Sequence, residues 1–116
     1  MNLQEIIQNL NLTVLTEQKD FSALPATSGY CSDLLSCVMT GASPNGVWIT
    51  LMAHSNIVAV AALLDLSAII ITEDAQPDQK TIEQANQKGV TMLSTPADNF
   101  ETIGILWELG LRASKE

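Results

Sequence analysis

Three consecutive isoleucines in the segment SAIII (67–71) constrain the fold of this chain more than any other feature. An apolar run of this length is typical of a strand that is covered on both faces, as in a parallel sheet flanked by helices. Two further β-rich runs lie on either side of it, VWITLM (47–52) and VTML (90–93). Because helical segments separate the three runs, the sequence predicts successive βαβ units with parallel strands.

The segments between these strands carry helix signals. HSNIVAVAALLDL follows the first strand, and Ser55 or Asn56 is placed to cap its helix. DQKTIEQANQKG is predicted to turn Ile82 and Ala85 toward the core and to end at Gly89. A last helix is expected within STPADNFETIGILWELG, which has proline near its start and glycine at its end.

The first 45 residues are less regular. NLQEIIQNL is typical of an amphipathic helix, LTVL of a short strand, and the segment from Lys19 to Gly29 of a loop. SDLLSCVMTG is predicted to be a helix capped by Ser32. No linker, low-complexity tract or repeat interrupts the chain. We therefore expect residues 1–116 to form a single α/β domain, with a mainly parallel β-sheet built from βαβ units and flanking helices.

Charge and hydropathy exclude several classes of partner. The chain has thirteen acidic and five basic residues, which gives a net charge of −8, and no two basic residues are adjacent. Nucleic acids and anionic membranes need clustered Lys and Arg, so neither is an expected partner. The longest apolar stretch, Ile57 to Leu64, is far shorter than a membrane span. The N-terminal residues do not have the pattern of a signal peptide, so a cytoplasmic location is expected.

Neither a metal site nor a cofactor is expected. Cys31 and Cys37 are six residues apart, which on a helix points the two thiols in different directions. Together with one histidine they fall short of the four ligands of a zinc site, so ordinary thiols are predicted. Glu73 and Asp74 follow a strand where Mg²⁺ could bind, but two adjacent acids in a turn are more often simply solvated.

A candidate ligand site lies where the predicted strands end. His54, Ser55 and Asn56 follow the first strand, Thr72 the second and Thr95 the third. The carboxyl ends of parallel strands meet at one edge of a sheet, and ligands bind there. The sequence therefore predicts a ligand-binding site formed by these five residues and centred on His54. Small polar residues also serve as helix caps, so a purely structural role is the alternative.

His54 is the only histidine, and its ring is suited to proton transfer near neutral pH. A general base needs a group to act on, and no nucleophile partner or catalytic motif accompanies it. No catalytic residue is therefore predicted. A contact with a ligand or a partner is favoured for His54 over catalysis.

Residues 28–110 resemble a DRTGG domain. The resemblance is carried by SDLLS, by the VWIT strand running into HSNIVAVAAL, and by the III-turn-proline-helix-glycine-strand pattern that ends in ST. DRTGG domains occur joined to CBS-domain pyrophosphatases and phosphotransacetylases, and a related fold forms the N-terminal half of HPr kinase. The resemblance implies an α/β fold, a tendency to dimerise, a regulatory role, and adenine-nucleotide binding in some members.

The chain departs from the signature that names the family. The Asp-Arg pair aligns with His54-Ser55 and the Thr-Gly-Gly triplet with Thr72-Glu73-Asp74, so only Thr72 is retained. Without the arginine there is no bidentate grip on phosphate, and two acids repel an anion. Nucleotide binding is therefore expected to be weak or absent. If a nucleotide did bind tightly, Lys80 or another distant basic residue would be the expected phosphate contact.

Three functions are compatible with the sequence. The favoured one is a non-catalytic regulatory module that binds a small molecule or a partner protein as a homodimer. The second is an accessory protein-interaction subunit of a separately encoded enzyme, with no ligand of its own. The least favoured is a small enzyme that uses His54. For the homodimer, Met39, Trp48 and Met52 are predicted to lie near faces that one copy leaves uncovered.

Overall fold

The computed structural model describes residues 1–114 and contains one five-stranded sheet with helices on both faces. The elements in chain order are α1 (Leu3–Leu10), β1 (Thr13–Val14), β2 (Gly29–Cys31), α2 (Leu35–Gly41), β3 (Val47–Thr50), α3 (Asn56–Leu63), β4 (Ala68–Ile71), α4 (Gln79–Lys88), β5 (Met92–Ser94) and α5 (Asn99–Leu109). A single turn of 3₁₀ helix spans Phe21–Ala23. The predicted α/β fold is confirmed.

The sheet has the order β1-β5-β4-β3-β2. Strands β2 to β5 are parallel to their neighbours, and β1 pairs antiparallel with β5 at one edge, so the sheet is mainly parallel as predicted. The isoleucine run forms the central strand β4. Ala68 and Ile70 pack on one face while Ile69 and Ile71 pack on the other, and all four are fully buried. Alternation of side chains along a strand produces this two-sided burial.

Helices α1 and α5 cover one face of the sheet, and α2, α3 and α4 cover the other. Strands β2 to β5 lie next to each other in chain order, and their three crossover helices share one face. Only α5, which follows β5, passes to the opposite face. The loops after β4 and β5 therefore lead to opposite sides of the sheet.

Strand β2 lies where the sequence predicted the end of a loop. It is a three-residue edge strand whose side chains are half-buried, so its sequence shows neither alternation nor an apolar run. On its outer side, Gly29 N–H donates to the carbonyl of Arg112 at 2.9 Å. The chain beyond α5 thus protects part of this edge.

One predicted helix cap is wrong, and a second is confirmed only in its position. Ser32 does not cap α2: its hydroxyl accepts from Leu34 N–H at 3.1 Å, and the helix begins only at Leu35. Ser55 occupies the N-cap of α3 but makes no side-chain hydrogen bond there. The predicted end of α4 at Gly89 is confirmed, with φ of 71°. Its buried face differs from the prediction.

Helix α4 buries Thr81 and Ala85. Ile82, which was predicted to point toward the core together with Ala85, is only half-buried. The prediction for Trp48 is also wrong, because this side chain is fully buried and its indole N–H donates to the carbonyl of Ser32 at 3.0 Å. A central strand packed on both faces leaves no room for an exposed tryptophan. Of the other two residues predicted near uncovered faces, Met39 is exposed and Met52 is half-buried.

Candidate functional site

The loops after β4 and β5 diverge to opposite faces of the sheet, an arrangement that opens a ligand crevice in many α/β proteins. Here hydrogen bonds join the two loops. Glu73 N–H donates to the carbonyl of Ala97 at 2.8 Å, and Asp74 N–H donates to that of Thr95 at 3.2 Å. Thr72 is fully buried, and its hydroxyl hydrogen-bonds the Asn99 side chain. The protein's own backbone therefore fills this crevice.

Glu73 and Asp74 both adopt the left-handed backbone conformation, with φ of 62° and 57°. Residues other than glycine rarely occupy this region, because Cβ crowds the neighbouring carbonyl. These are the two positions that the resemblance in sequence assigns to the glycines of the Thr-Gly-Gly triplet. The loop thus has a backbone conformation suited to glycine but carries two acidic side chains.

An open cleft of about 750 Å³ lies on the face covered by α2, α3 and α4. We call it the His54 cleft. One wall is the loop of residues 51–55 between β3 and α3, and the other is α4 with the segment before it. The residues of the second wall are Gln76, Asp78, Lys80, Thr81 and Gln84.

Asp33 fixes the loop that forms the first wall. One oxygen of its carboxylate accepts from the Thr50 hydroxyl at 2.7 Å and from Leu51 N–H at 2.9 Å. The same Thr50 hydroxyl accepts from Met52 N–H at 3.1 Å. These bonds turn the chain sharply at the end of β3, so that His54 lies at the mouth of the cleft.

The second wall carries a charged helix start. Asp78 caps α4 by accepting a hydrogen bond from Thr81 N–H at 2.8 Å. Hydrogen bonding to Thr81 lowers the pKa of the Asp78 carboxyl, and the charges of Lys80 and His54 lower it further. Asp78 is consequently ionised at neutral pH. The cleft therefore contains four polar groups: the Asp78 carboxylate, the Lys80 amine, the His54 imidazole and the Ser55 hydroxyl.

Two of the five residues predicted as the ligand site line this cleft, namely His54 and Ser55. Asn56 is exposed at the first turn of α3 and is not part of the lining. Thr72 is fully buried behind the joined loops, whereas Thr95 is mostly buried and lines a separate open cavity of about 420 Å³ beside α5. The structure therefore does not bring the five residues together at one site.

The sequence analysis did not place the α4 residues at this site. The strand pairing gives the reason, because β3 and β4 are neighbours and the helix after β4 begins beside the loop after β3. Helices α3 and α4 also pack against each other on this face. Given only the strand order, Lys80 and Thr81 could have been placed next to His54.

Other reactive side chains do not gather at this site. Among residues 1–114, no three His, Cys, Asp or Glu side chains are grouped so that they could hold a metal ion. Within the same range, no helix has the length and apolar character needed to cross a membrane. Cys31 and Cys37 are free and half-buried. Burial, and secondly the Asp33 carboxylate, raises the pKa of the Cys31 thiol.

The fold and the cleft together define an α/β domain with a mainly parallel sheet and an open polar cleft at the carboxyl end of its strands. The family model of the DRTGG domain matches residues 5–109, and the chain belongs to this family.

A solved structure has the same fold, with a TM-score of 0.73 and 20% sequence identity. It is the crystal structure of the CBS and DRTGG domains of the regulatory region of Clostridium perfringens pyrophosphatase, in complex with the activator diadenosine tetraphosphate. The match covers 90% of this chain and 45% of that one, so the present chain spans less than half of the region solved there. No curated protein is significantly similar to this chain.

Proposed function

We propose that this DRTGG domain is a non-catalytic regulatory module that binds a small polar molecule in the His54 cleft. The observation that carries the proposal is the cleft itself, about 750 Å³ of open space with an imidazole, an amine and a hydroxyl along its walls. A volume of this order suits a small metabolite. The solved relative, which comes from a regulatory region and contains a bound activator, supports the same role.

The ligand that fits best carries a single anionic group. His54 and Lys80 favour one carboxylate or phosphate, while the ionised Asp78 beside them opposes the accumulation of further negative charge. The crevice that would correspond to the Thr-Gly-Gly triplet is filled by backbone and carries Glu73 and Asp74. We therefore propose that long polyphosphates bind weakly, with Kd no tighter than about 100 µM, or roughly −5.5 kcal/mol.

A ligand screen by thermal shift, followed by calorimetry, tests this function. A hit from a panel of metabolites should lose affinity in Lys80→Ala, while Lys88→Ala, at the far end of the same helix, serves as the matched control. ATP and diadenosine tetraphosphate should each bind no more tightly than the limit above. A hit that binds Lys80→Ala as strongly as the unmodified protein would reject the cleft as the site.

We further propose that the domain is a homodimer. Large apolar side chains are exposed on the surface of one copy, Phe100 and Trp107 among them. The same exposed side chains also favour the second candidate function, an accessory subunit that docks on a separately encoded enzyme. The two candidates predict different behaviour: a homodimer forms in the pure protein, whereas an accessory subunit needs its enzyme, encoded by a neighbouring gene.

A catalytic role for His54 is the least supported function. The polar side chains around it are those of Ser55, Gln76, Asp78, Lys80, Thr81 and Gln84. None of these side chains is a cysteine, so the cleft offers no thiol nucleophile for His54 to activate.

A further inference from the structure

Helix α5 carries a second apolar stripe on its solvent side. Phe100, Ile103, Gly104 and Trp107 have the i, i+3, i+4, i+7 spacing that places residues on one face of a helix. Phe100 is 88% exposed and Trp107 is 55% exposed. The face of α5 that packs on the sheet is a different one and includes the buried Leu106. We call the solvent-facing residues the α5 stripe.

Gly104 lies in the middle of this stripe, where the monomer gives it no function. Glycine is among the least favourable residues in a helix interior. A Cβ added at Gly104 would meet no atom within 4 Å, so the packing of the monomer does not require glycine there. A bare backbone in the middle of an apolar stripe does allow a second helix to approach closely.

An apolar groove of about 190 Å³ adjoins the stripe between α5 and the edge strand β2. Ile103 and Trp107 belong to both the stripe and the groove, so the two form one continuous surface. Tyr30, Leu111 and Arg112 are among the other residues that line the groove. The groove has room for one large apolar side chain, and Phe100 is the most exposed such side chain of the described residues.

We propose that α5 packs antiparallel against α5 of a second copy, with Gly104 near the two-fold axis and Phe100 of each copy in the groove beside Trp107 of the other. A two-fold interface uses the same patch on both copies, and this stripe is self-complementary in that way. The inference rests on the proposed homodimer. It is independent of the ligand proposed for the His54 cleft.

The charges around α5 select the antiparallel arrangement. Asp98 and Glu101 lie at its N-terminal end, whereas Glu108 and Arg112, whose guanidinium lies 3.9 Å from the centre of the Trp107 ring, offset each other at its C-terminal end. Antiparallel helices bring the acidic end of one copy to this near-neutral end of the other, where Arg112 lies. Parallel helices would place like charges together.

Analytical ultracentrifugation of the full chain and two variants tests the surface. The unmodified protein should be a dimer at about 50 µM. Phe100→Asp should weaken the dimer at least about tenfold, which is about 1.4 kcal/mol. Leu63→Asp, on the opposite side of the sheet and 67% exposed, is the matched control and should remain dimeric.

Each unexpected outcome of the ultracentrifugation experiment would overturn an identifiable part of the proposal. A monomeric unmodified protein would overturn both the homodimer and this interface. A dimer that persists in Phe100→Asp would overturn only the interface and leave the homodimer in place. A dimer lost equally in Leu63→Asp would also overturn the interface, because the effect would not depend on the stripe.

Gly104→Ala tests the close approach. In dilute, monomeric protein it should raise the melting temperature by a few degrees, because alanine favours the helix and the site has room for its methyl group. At high concentration the same variant should dimerise less tightly. An unchanged dimer dissociation constant would overturn the placement of Gly104 at the axis.

Cross-linking tests the direction of the helices in a background where Cys31 and Cys37 are replaced by serine. Residues 100 and 107 are about 10 Å apart along a helix. In an antiparallel pair, a mixture of Phe100→Cys and Trp107→Cys proteins should form a mixed disulfide faster than either protein alone. Faster linking of either variant to itself would indicate parallel helices and overturn the proposal.

Discussion

Among single residues, Glu73 and Asp74 have the most unusual pair of backbone conformations. Both have positive φ values, as expected for the glycines that the resemblance in sequence assigns to these positions. Glu73 gains an interaction there, because its carboxylate accepts from Asn99 N–H at 3.3 Å. Asp74 gains only weak contacts with Gln76 at 3.4 Å. Of these two residues, Asp74 therefore has the left-handed backbone strain that its side-chain contacts offset less.

Asp74→Gly should stabilise the protein. Relief of left-handed strain is worth about 1–2 kcal/mol, and the extra chain entropy of glycine offsets about 0.5–1 kcal/mol of it, so a net gain of about 0.5–1 kcal/mol is expected. Urea denaturation measures this change. Asp74→Ala, which keeps Cβ, is the control and should give no gain. A lower stability for the glycine variant would contradict the argument.

Among the elements, the junction between β2, α2 and β3 depends on Asp33. Its carboxylate is the acceptor that holds the turn after β3, through Thr50 and Leu51. Thr50 is fully buried, so its hydroxyl has no water to replace this acceptor.

Asp33→Ala should lower the free energy of unfolding by about 1–2 kcal/mol, because a buried donor is left without a partner. Asp33→Asn keeps an oxygen in place and should retain most of the stability. Denaturation curves of the two variants, compared with the unmodified protein, check this. Equal losses in both variants would mean that the charge of Asp33, rather than its hydrogen bonds, stabilises the turn.

The sequence predicted elements well where burial was two-sided and poorly where it was partial. SAIII had to be a central strand, since no other position buries three isoleucines in succession. β2 was missed because three half-buried edge residues carry no periodic signal. The predicted cap failed at Ser32, and Ser55 occupies the N-cap of α3 without a side-chain hydrogen bond, because a serine before a helix also fits a turn and hydrogen-bonding geometry alone decides between these roles.

At the scale of the whole molecule, the strand order explains why only part of the candidate site could be predicted from the sequence. The sequence placed Thr72 and Thr95 at the correct edge of the sheet, where the loops after β4 and β5 diverge. It did not reveal that Glu73 and Asp74 would donate their backbone N–H groups across that gap and close it. The His54 cleft opens one strand further along, beside the end of β3. Lys80 reaches it only because β3 and β4 pair.

The net charge of −8 per copy gives the proposed dimer a salt dependence. Two such copies repel each other over a Debye length of about 30 Å at 10 mM salt and hardly at all at 1 M. Dimer affinity should therefore rise by about tenfold between 10 and 500 mM salt. Salt also weakens the attraction between Arg112 of one copy and the acidic end of α5 of the other, and the tenfold rise is what remains after this opposing effect. Sedimentation at several salt concentrations measures it. Dissociation at high salt would indicate an interface held mainly by ion pairs.

His54→Ala separates a binding role from a structural one. The imidazole is exposed at the mouth of the cleft, and the loop that carries it is held by Asp33 and Thr50 rather than by the histidine itself. Its removal should change the melting temperature by no more than about one degree, since surface substitutions alter stability by about 0.5 kcal/mol or less. Binding of a cleft ligand should weaken several-fold, as measured by calorimetry, while dimerisation through α5 stays unchanged. A melting temperature lowered by several degrees with ligand affinity intact would make His54 a structural residue, and Lys80 and Ser55 alone would then have to account for the cleft.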